Sequence, residues 1–301
     1  MKIRENCKYA LVVPTSMGVR ITPPNGQPVA SSNMFMMQAT SAETNVASIS
    51  AYLGLPTKVL TTFVKDSPIA DFIKRDLRSR GMDYEGKEVE QGDPWGYRHQ
   101  FNIADSGYGS RGPRVCNDRA GEVGRTLNIK DFDLDRIFGE EGVGILHLSG
   151  LIGALSPETT ACCVAVAKKA KEYGTLISFD LNYRASFWKG REQELHDIFT
   201  EIASVADILI GNEGSDNKSG SLVLSEGIGK GLSYKTDAVK LREPDVCNND
   251  VGMVSCNALE GFLAVCGFIN VSVTCTEQCF AQVFSAFGIF VCYKYFDLLH
   301  D

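Results

Sequence analysis

Short apolar runs alternate with amphipathic stretches from the start of the chain to Glu213, the pattern of βα units built on a mainly parallel sheet. The runs Tyr9 to Val13, Thr57 to Phe63, Gly144 to Leu148, Thr175 to Phe179 and Ala206 to Ile210 are short and apolar enough for strands buried on both faces. Helices are expected between them. Ser67 and Pro68 read as an N-cap and a first-turn proline, with Gly81 as the stop; Ser156, Pro157 and Glu158 repeat the device, with Gly174 as the stop. Two segments break the rhythm, about residues 18–38 and 82–117, where Pro, Gly, Asn and alternating residues predict hairpins and turns. They are expected to form a small antiparallel lid beside the sheet, or plain surface loops.

Beyond about Gly214 the pattern changes. Between Cys256 and Tyr293 the only charges are Glu260 and Glu277, and Phe recurs at 262, 268, 280, 284, 287 and 290. The uncharged runs 261–276 and 278–293 fall short of the ~18 to 20 residues that span a bilayer, so no membrane segment is expected. Six of the 10 cysteines lie in this last part. With no C-x-x-C pair and no export signal in MKIRENCKYALVVP, they read as free thiols, Cys162 and Cys163 as buried packing, and the protein as cytoplasmic. A formal charge of -7 leaves no basic footprint for nucleic acid or an anionic membrane, which favours a small-molecule site.

Motifs narrow the chemistry by their absence. No G-x-G-x-x-G follows the first strand and no G-x-x-x-x-G-K-[ST] occurs, so a dinucleotide oxidoreductase or a P-loop loses its main support. The segment Gly227 to Leu232, GIGKGL, could touch phosphate or be a chance glycine run. Four histidines, none paired at helix spacing, argue against a histidine metal site, and His147 in an apolar run reads as a core residue.

Three stretches place polar groups at strand ends and helix starts, where open α/β sheets bind ligands. In SAETNVASISAYLGLP, Ser41 and Thr44 form a capping box, and Asn45 offers an amide from the first turn. In SFDLNYRASFW, Asp180, Asn182 and Arg184 alternate, so all three can point to one side toward a polyhydroxylated or carboxylated ligand, with an Asp180–Arg184 ion pair as the alternative. In ADILIGNE, Asn212 and Glu213 could meet a phosphate or its magnesium, or simply form a turn.

Taken in order, SAETNVASISAYLGLPTKVLTTFVKDSPIADFIKRDLRSRGMD, RAG at 119–121, HLSGLIGALSP, SFDLNYRASFW and DILIGNE resemble the ribokinase-like carbohydrate kinases of the PfkB family, in the 2-keto-3-deoxygluconate kinase branch. The resemblance runs from about residue 9 to 213. It implies a three-layer α/β/α sandwich with a small β lid, and ATP-dependent phosphorylation of a sugar-acid hydroxyl with Mg2+. By the same resemblance Asn45, Arg119 and Arg184 contact the substrate, Asn212 and Glu213 begin an N-x-x-E motif associated with magnesium and phosphate, and two copies associate through the lid. Two arginines suit a carboxylate, because the guanidinium fork pairs with it bidentately.

The chain also departs from the family pattern. Thr40 and Ser41 replace two glycines, Asn117 replaces a tyrosine before the lid arginine, and Gly214 and Ser215 follow Asn212 and Glu213 where the motif continues to a second acid. The glycine-framed aspartate segment that would supply the anion hole and the catalytic base is absent, so no base is assigned. Residues 1–213 therefore read as a ribokinase-like substrate-binding portion, and 214–301 as a divergent region in place of the nucleotide-binding part. The alternative to a kinase is a noncatalytic sugar-binding or interaction protein.

Overall fold

The computed structural model describes residues 3–211 and 292–293. It divides into two compact units, Met1–Ile177 and Ser178–Asp301. In chain order the first contains β1 (Tyr9–Pro14), β2 (Gly18–Thr22), β3 (Met36–Thr40), α1 (Ala42–Tyr52), β4 (Thr57–Val64), α2 (Pro68–Ser79), β5 (Met82–Val89), β6 (Gln100–Asp105), β7 (Arg114–Asp118), β8 (Val143–Ser149), α3 (Gly150–Gly153) and α4 (Pro157–Glu172). Strand β9 (Leu176–Asp180) crosses the boundary. The second unit continues with α5 (Ala185–Trp188), α6 (Glu192–Val205), β10 (Ile208–Ile210) and β11 (Cys292–Tyr293). The expected boundary at residue 213 lies outside the described residues, as do GIGKGL, Asn212 and Glu213.

The apolar runs became parallel strands because they are buried on both faces. In the first unit β1 pairs in parallel with β4 and β8, in registers such as Leu11 opposite Thr57 and Ile145. Every residue of β4 is buried. Helices α1 and α2 bring Ala47, Ala70, Ile73 and Leu77 into one cluster with Val13, Val59 and Phe63. Caps act much as the sequence predicts. Ser156 and Thr159 form a reciprocal capping box at α4, and Gly174 ends it at φ 71°. Gly81 ends α2 at φ 73°, but Ser67 makes no side-chain cap bond, so Pro68 alone marks that start. Cys162 and Cys163 are buried thiols on α4, and burial pushes Cys162 up to about 12 and raises Cys163 as well.

The lid differs from expectation in two ways. The segment 82–89 is not part of it: β5 lies parallel beside β4 from Met82 opposite Thr57 to Val89 opposite Val64. Gly86 permits this approach, because a Cβ there would come within 2.3 Å of the Thr61 carbonyl oxygen. The remaining lid strands form a separate four-stranded sheet in the order β3-β2-β6-β7. It is mixed rather than antiparallel, since β2 pairs in parallel with β6 while β3 and β7 are antiparallel to their neighbours. His99 ties it to the parallel sheet. Its Nε2 accepts the Val64 N–H at 3.3 Å, which leaves Nδ1 to donate to the Met17 carbonyl at 3.0 Å.

In the second unit β9 and β10 are parallel, with β11 antiparallel to β10. Helix α6 covers β9 through Phe199, whose ring meets Phe179 edge-on at 5.4 Å and Trp188 at 5.0 Å. Among the described residues no helix is long and apolar enough to cross a membrane.

His147 on β8 is 3% exposed, and burial pushes its imidazole down to about 4 from 6.5. The unfolded chain therefore takes up a proton between these values that the folded chain refuses, so stability falls as pH drops through that window. Between about pH 7 and about pH 4.5 this one group should remove about 2 kcal/mol. Urea unfolding at both pH values checks it: His147→Leu should lose about that much less than the parent chain.

Candidate functional site

The end of β1 turns through Pro14, Thr15 and Ser16 beside the start of α1. Each hydroxyl meets a different buried carboxylate. Thr15 Oγ1 donates to Glu43 Oε2 at 2.5 Å, and Ser16 Oγ donates to Glu122 Oε1. Both carboxylates belong to residues 1% exposed. Glu43 arrives through the α1 cap: the Ser41 hydroxyl accepts the Thr44 N–H at 2.9 Å and so fixes the first turn. The side chain that Ser41 adds in place of a family glycine is therefore 5% exposed and occupied by the cap. Asn45 lies in the same turn and is exposed, as a ligand-facing amide requires.

Arg119 follows β7 directly. Its Nη1 lies 2.6 Å from Glu122 Oε1, and its charge also acts on Glu43. The loop is held by its own backbone and by one further arginine. Gly121 adopts φ 61°, and the Glu122 N–H donates to the Arg119 carbonyl at 3.2 Å, closing a tight turn. Arg98 clamps that turn, with Nη2 on Asp118 Oδ1 at 2.6 Å and Nε donating to the Ala120 carbonyl at 2.7 Å. Asn117, the departure from the family tyrosine, receives a hydrogen bond from Asn102 across β6 and β7.

Burial is the largest influence on Glu43 and pushes its carboxyl up. The Thr15 hydroxyl, a backbone N–H and the Ser149 hydroxyl oppose that shift, the Arg119 charge least of all. A cavity of about 370 Å³ opens beside the same turn, bounded by Tyr97, Gly121, Glu122, the Arg125–Thr126 segment and the start of α4 at Ser156 and Glu158. Its wall offers hydroxyls, carboxylates and the Arg125 guanidinium to a small hydroxylated molecule, while Arg119 lies outside that lining, held on Glu122.

The second unit holds the other predicted residues. Asp180 ends β9, and its Oδ1 accepts the Asn182 N–H at 2.9 Å. Asn182 then takes φ 36°, so the extended alternation that would have aligned Asp180, Asn182 and Arg184 stops at Asp180. Arg184 is exposed at the N-cap position of α5. The loop is anchored behind it by Trp188, 3% exposed and packed on Tyr183 and Phe199. Among the described residues no group of three or more His, Cys, Asp and Glu is placed to hold a metal ion. Sequence reasoning missed Glu43, Glu122, Arg98 and Ser16; the one local signal was Gly121, which marks the turn that returns Glu122 to Arg119.

The parallel sheet, flanking helices and separate β lid define a ribokinase-like α/β fold. No family profile matches the chain. It is similar to 2-dehydro-3-deoxygalactonokinase of Haloferax volcanii, at 25% identity over 195 residues, 65% of this chain and 58% of that protein. Among solved structures it is similar to 2-dehydro-3-deoxygluconokinase of Thermotoga maritima, with a TM-score of 0.61 and 25% identity, covering 77% of this chain and 64% of the other. It shares its fold with an E. coli protein of ribokinase type solved with ATP and Mg2+, at a TM-score of 0.59 and 16% identity over 74% of this chain and 70% of that one. The chain therefore resembles the PfkB carbohydrate kinases. It spans little more than half the length of the curated relatives it matches.

The fit of Ser16 against Glu122 depends on Gly124, where an added Cβ would fall 1.8 Å from Ser16 Oγ and 2.3 Å from its Cβ. Gly124→Ala must push Ser16 off the carboxylate or move the backbone. Denaturant unfolding should show a loss of about 2 to 4 kcal/mol; a loss below about 0.5 kcal/mol would mean that the contact is not needed.

Proposed function

We infer that the chain is a PfkB-type sugar kinase in which Asn45, Arg119 and Arg184 hold a sugar acid, 2-keto-3-deoxygluconate being the best candidate. The observation that carries this reading is the lid arginine placed on a buried polar cluster at the end of β1, within a chain resembling 2-dehydro-3-deoxygluconokinase. Arg119 would supply a cation for the carboxylate, Asn45 an amide for hydroxyls, and Arg184 a second cation. Asp180 and Asn182 join the same substrate set, Asp180 as an acceptor for sugar hydroxyls.

ATP is the proposed phosphoryl donor and Mg2+ its companion, by resemblance to relatives of this fold. When bound, the metal ion would offset charge on the transferring phosphoryl group. The residues proposed to organise it, Asn212 and Glu213, lie outside the described part, as does all of the proposed divergent region 214–301 except Cys292 and Tyr293. Residues 1–213 are proposed as the substrate-binding portion. A homodimer through the lid is proposed as well, and Met36 and Met37 on the edge strand β3 and Val115 on β7 are exposed there. The reading is of an enzyme that works inside the cell on a small molecule, without nucleic-acid or membrane partners.

Isothermal titration and an ADP-release assay on the full chain test it together. 2-Keto-3-deoxygluconate should bind saturably, and ADP release should depend on it. Arg119→Gln and Arg184→Gln should each weaken binding roughly 10- to 100-fold, the scale of a lost charge-assisted hydrogen bond. Binding with no ATP turnover would favour the noncatalytic sugar-binding reading. No saturable binding of any sugar or sugar acid would remove both.

A further inference from the structure

Arg119 comes to the candidate sugar site with a partner in place. Glu122 Oε1 receives both Arg119 Nη1 and the Ser16 hydroxyl, while Oε2 of the same carboxylate is buried with no hydrogen-bond partner among the described residues. The Glu122 side chain is 0% exposed and that of Arg119 19%. Charges so placed are poorly screened, so Glu122 acts strongly on the guanidinium. Glu43, equally buried, lies close enough for the Arg119 charge to act on it. The cation is thus already paired with a buried carboxylate before a substrate arrives.

The pairing is built into the backbone. The turn from Arg119 to Glu122 is closed by a backbone hydrogen bond, passes through Gly121 at positive φ, and is clamped from outside by Arg98. Ser16 holds the same carboxylate from the β1 side, through the space that Gly124 leaves open. Glu122 therefore cannot withdraw without undoing several contacts. A substrate carboxylate approaching Arg119 meets a cation whose charge is already partly offset, with a fixed like charge behind it. A carbonyl, hydroxyl or amide at the same place meets no such repulsion.

Resting on the reading of Arg119 as a substrate-binding arginine, we propose that Glu122 is a specificity-determining residue that lowers the preference of the pocket for a sugar carboxylate over its uncharged counterpart. Glu122 acts through Arg119. Its removal should change selectivity, not affinity at large.

The test is isothermal titration of 2-keto-3-deoxygluconate and of its carboxamide into the full parent chain and into Glu122→Gln, which keeps shape and a hydrogen-bond acceptor for Ser16. Glu122→Gln should bind the acid about tenfold more tightly while its affinity for the carboxamide changes less than about threefold. Equal changes for both ligands, or no change for either, would overturn the role of Glu122 and leave the sugar-site reading intact. If neither protein binds either ligand, the sugar-site reading fails and the proposal goes with it. If only Glu122→Gln binds the acid, the proposal stands. Should that variant not fold, Glu122→Asp, which draws the carboxylate back by one methylene, should shift the acid-to-amide ratio the same way, and an unchanged ratio would overturn the proposal.

Discussion

Two carboxylates that water scarcely reaches, Glu43 and Glu122, are held by hydroxyls at the end of β1, and Glu122 is paired with Arg119 as well. Burying a carboxylate costs several kcal/mol unless a partner compensates it. Here the compensation comes from different parts of the fold: consecutive hydroxyls at the end of β1, the capped start of α1, and an arginine delivered by the last lid strand. The cluster thus joins the lid to the parallel sheet by electrostatics where His99 joins them by hydrogen bonds. Moving any one of these elements would remove part of that compensation.

That arrangement explains why a short lid sheet can hold an arginine in one place. β7 is itself exposed, and its residues gain little from burial. Its end is fixed instead by the Arg98 clamp and by the tight turn through Gly121. The second unit reaches a comparable result by other means. There an aromatic group of Trp188, Phe199 and Phe179 anchors the segment from Asp180 to Arg184, while the strand gives way to a left-handed residue at Asn182.

Much of the fold was legible because its signals are local. Each predicted apolar run lies within about two residues of a strand, since burial on both faces selects short runs rich in Val, Ile, Leu and Phe, and the caps at Ser41 and Ser156 are written within four residues. β5 was misplaced because its sequence, MDYEGKEV, carries the polar and glycine content of a loop; it pairs with β4 at the sheet edge, where one face needs little apolar character. Of the site, Asn45 and Arg119 could be singled out, but the carboxylates between them could not. Glu43 and Glu122 lie far apart in sequence, and an acidic residue in a helix start or turn ordinarily signals solvation. Only the tertiary fold turns them inward. The alignment expected of Asp180, Asn182 and Arg184 failed for the opposite reason: a strand period was extended past the point where the Asp180 side chain captures the next backbone N–H.

The central claim is that Arg119, held on this buried cluster, is the group that receives the substrate. A crystal structure of the full chain grown with 2-keto-3-deoxygluconate tests it most directly. The account predicts the sugar acid in the pocket with an oxygen within hydrogen-bond distance of the Arg119 guanidinium and Glu122 still behind it. Sugar bound with no atom in reach of Arg119, while the Arg119–Glu122 pair stays closed, would contradict it.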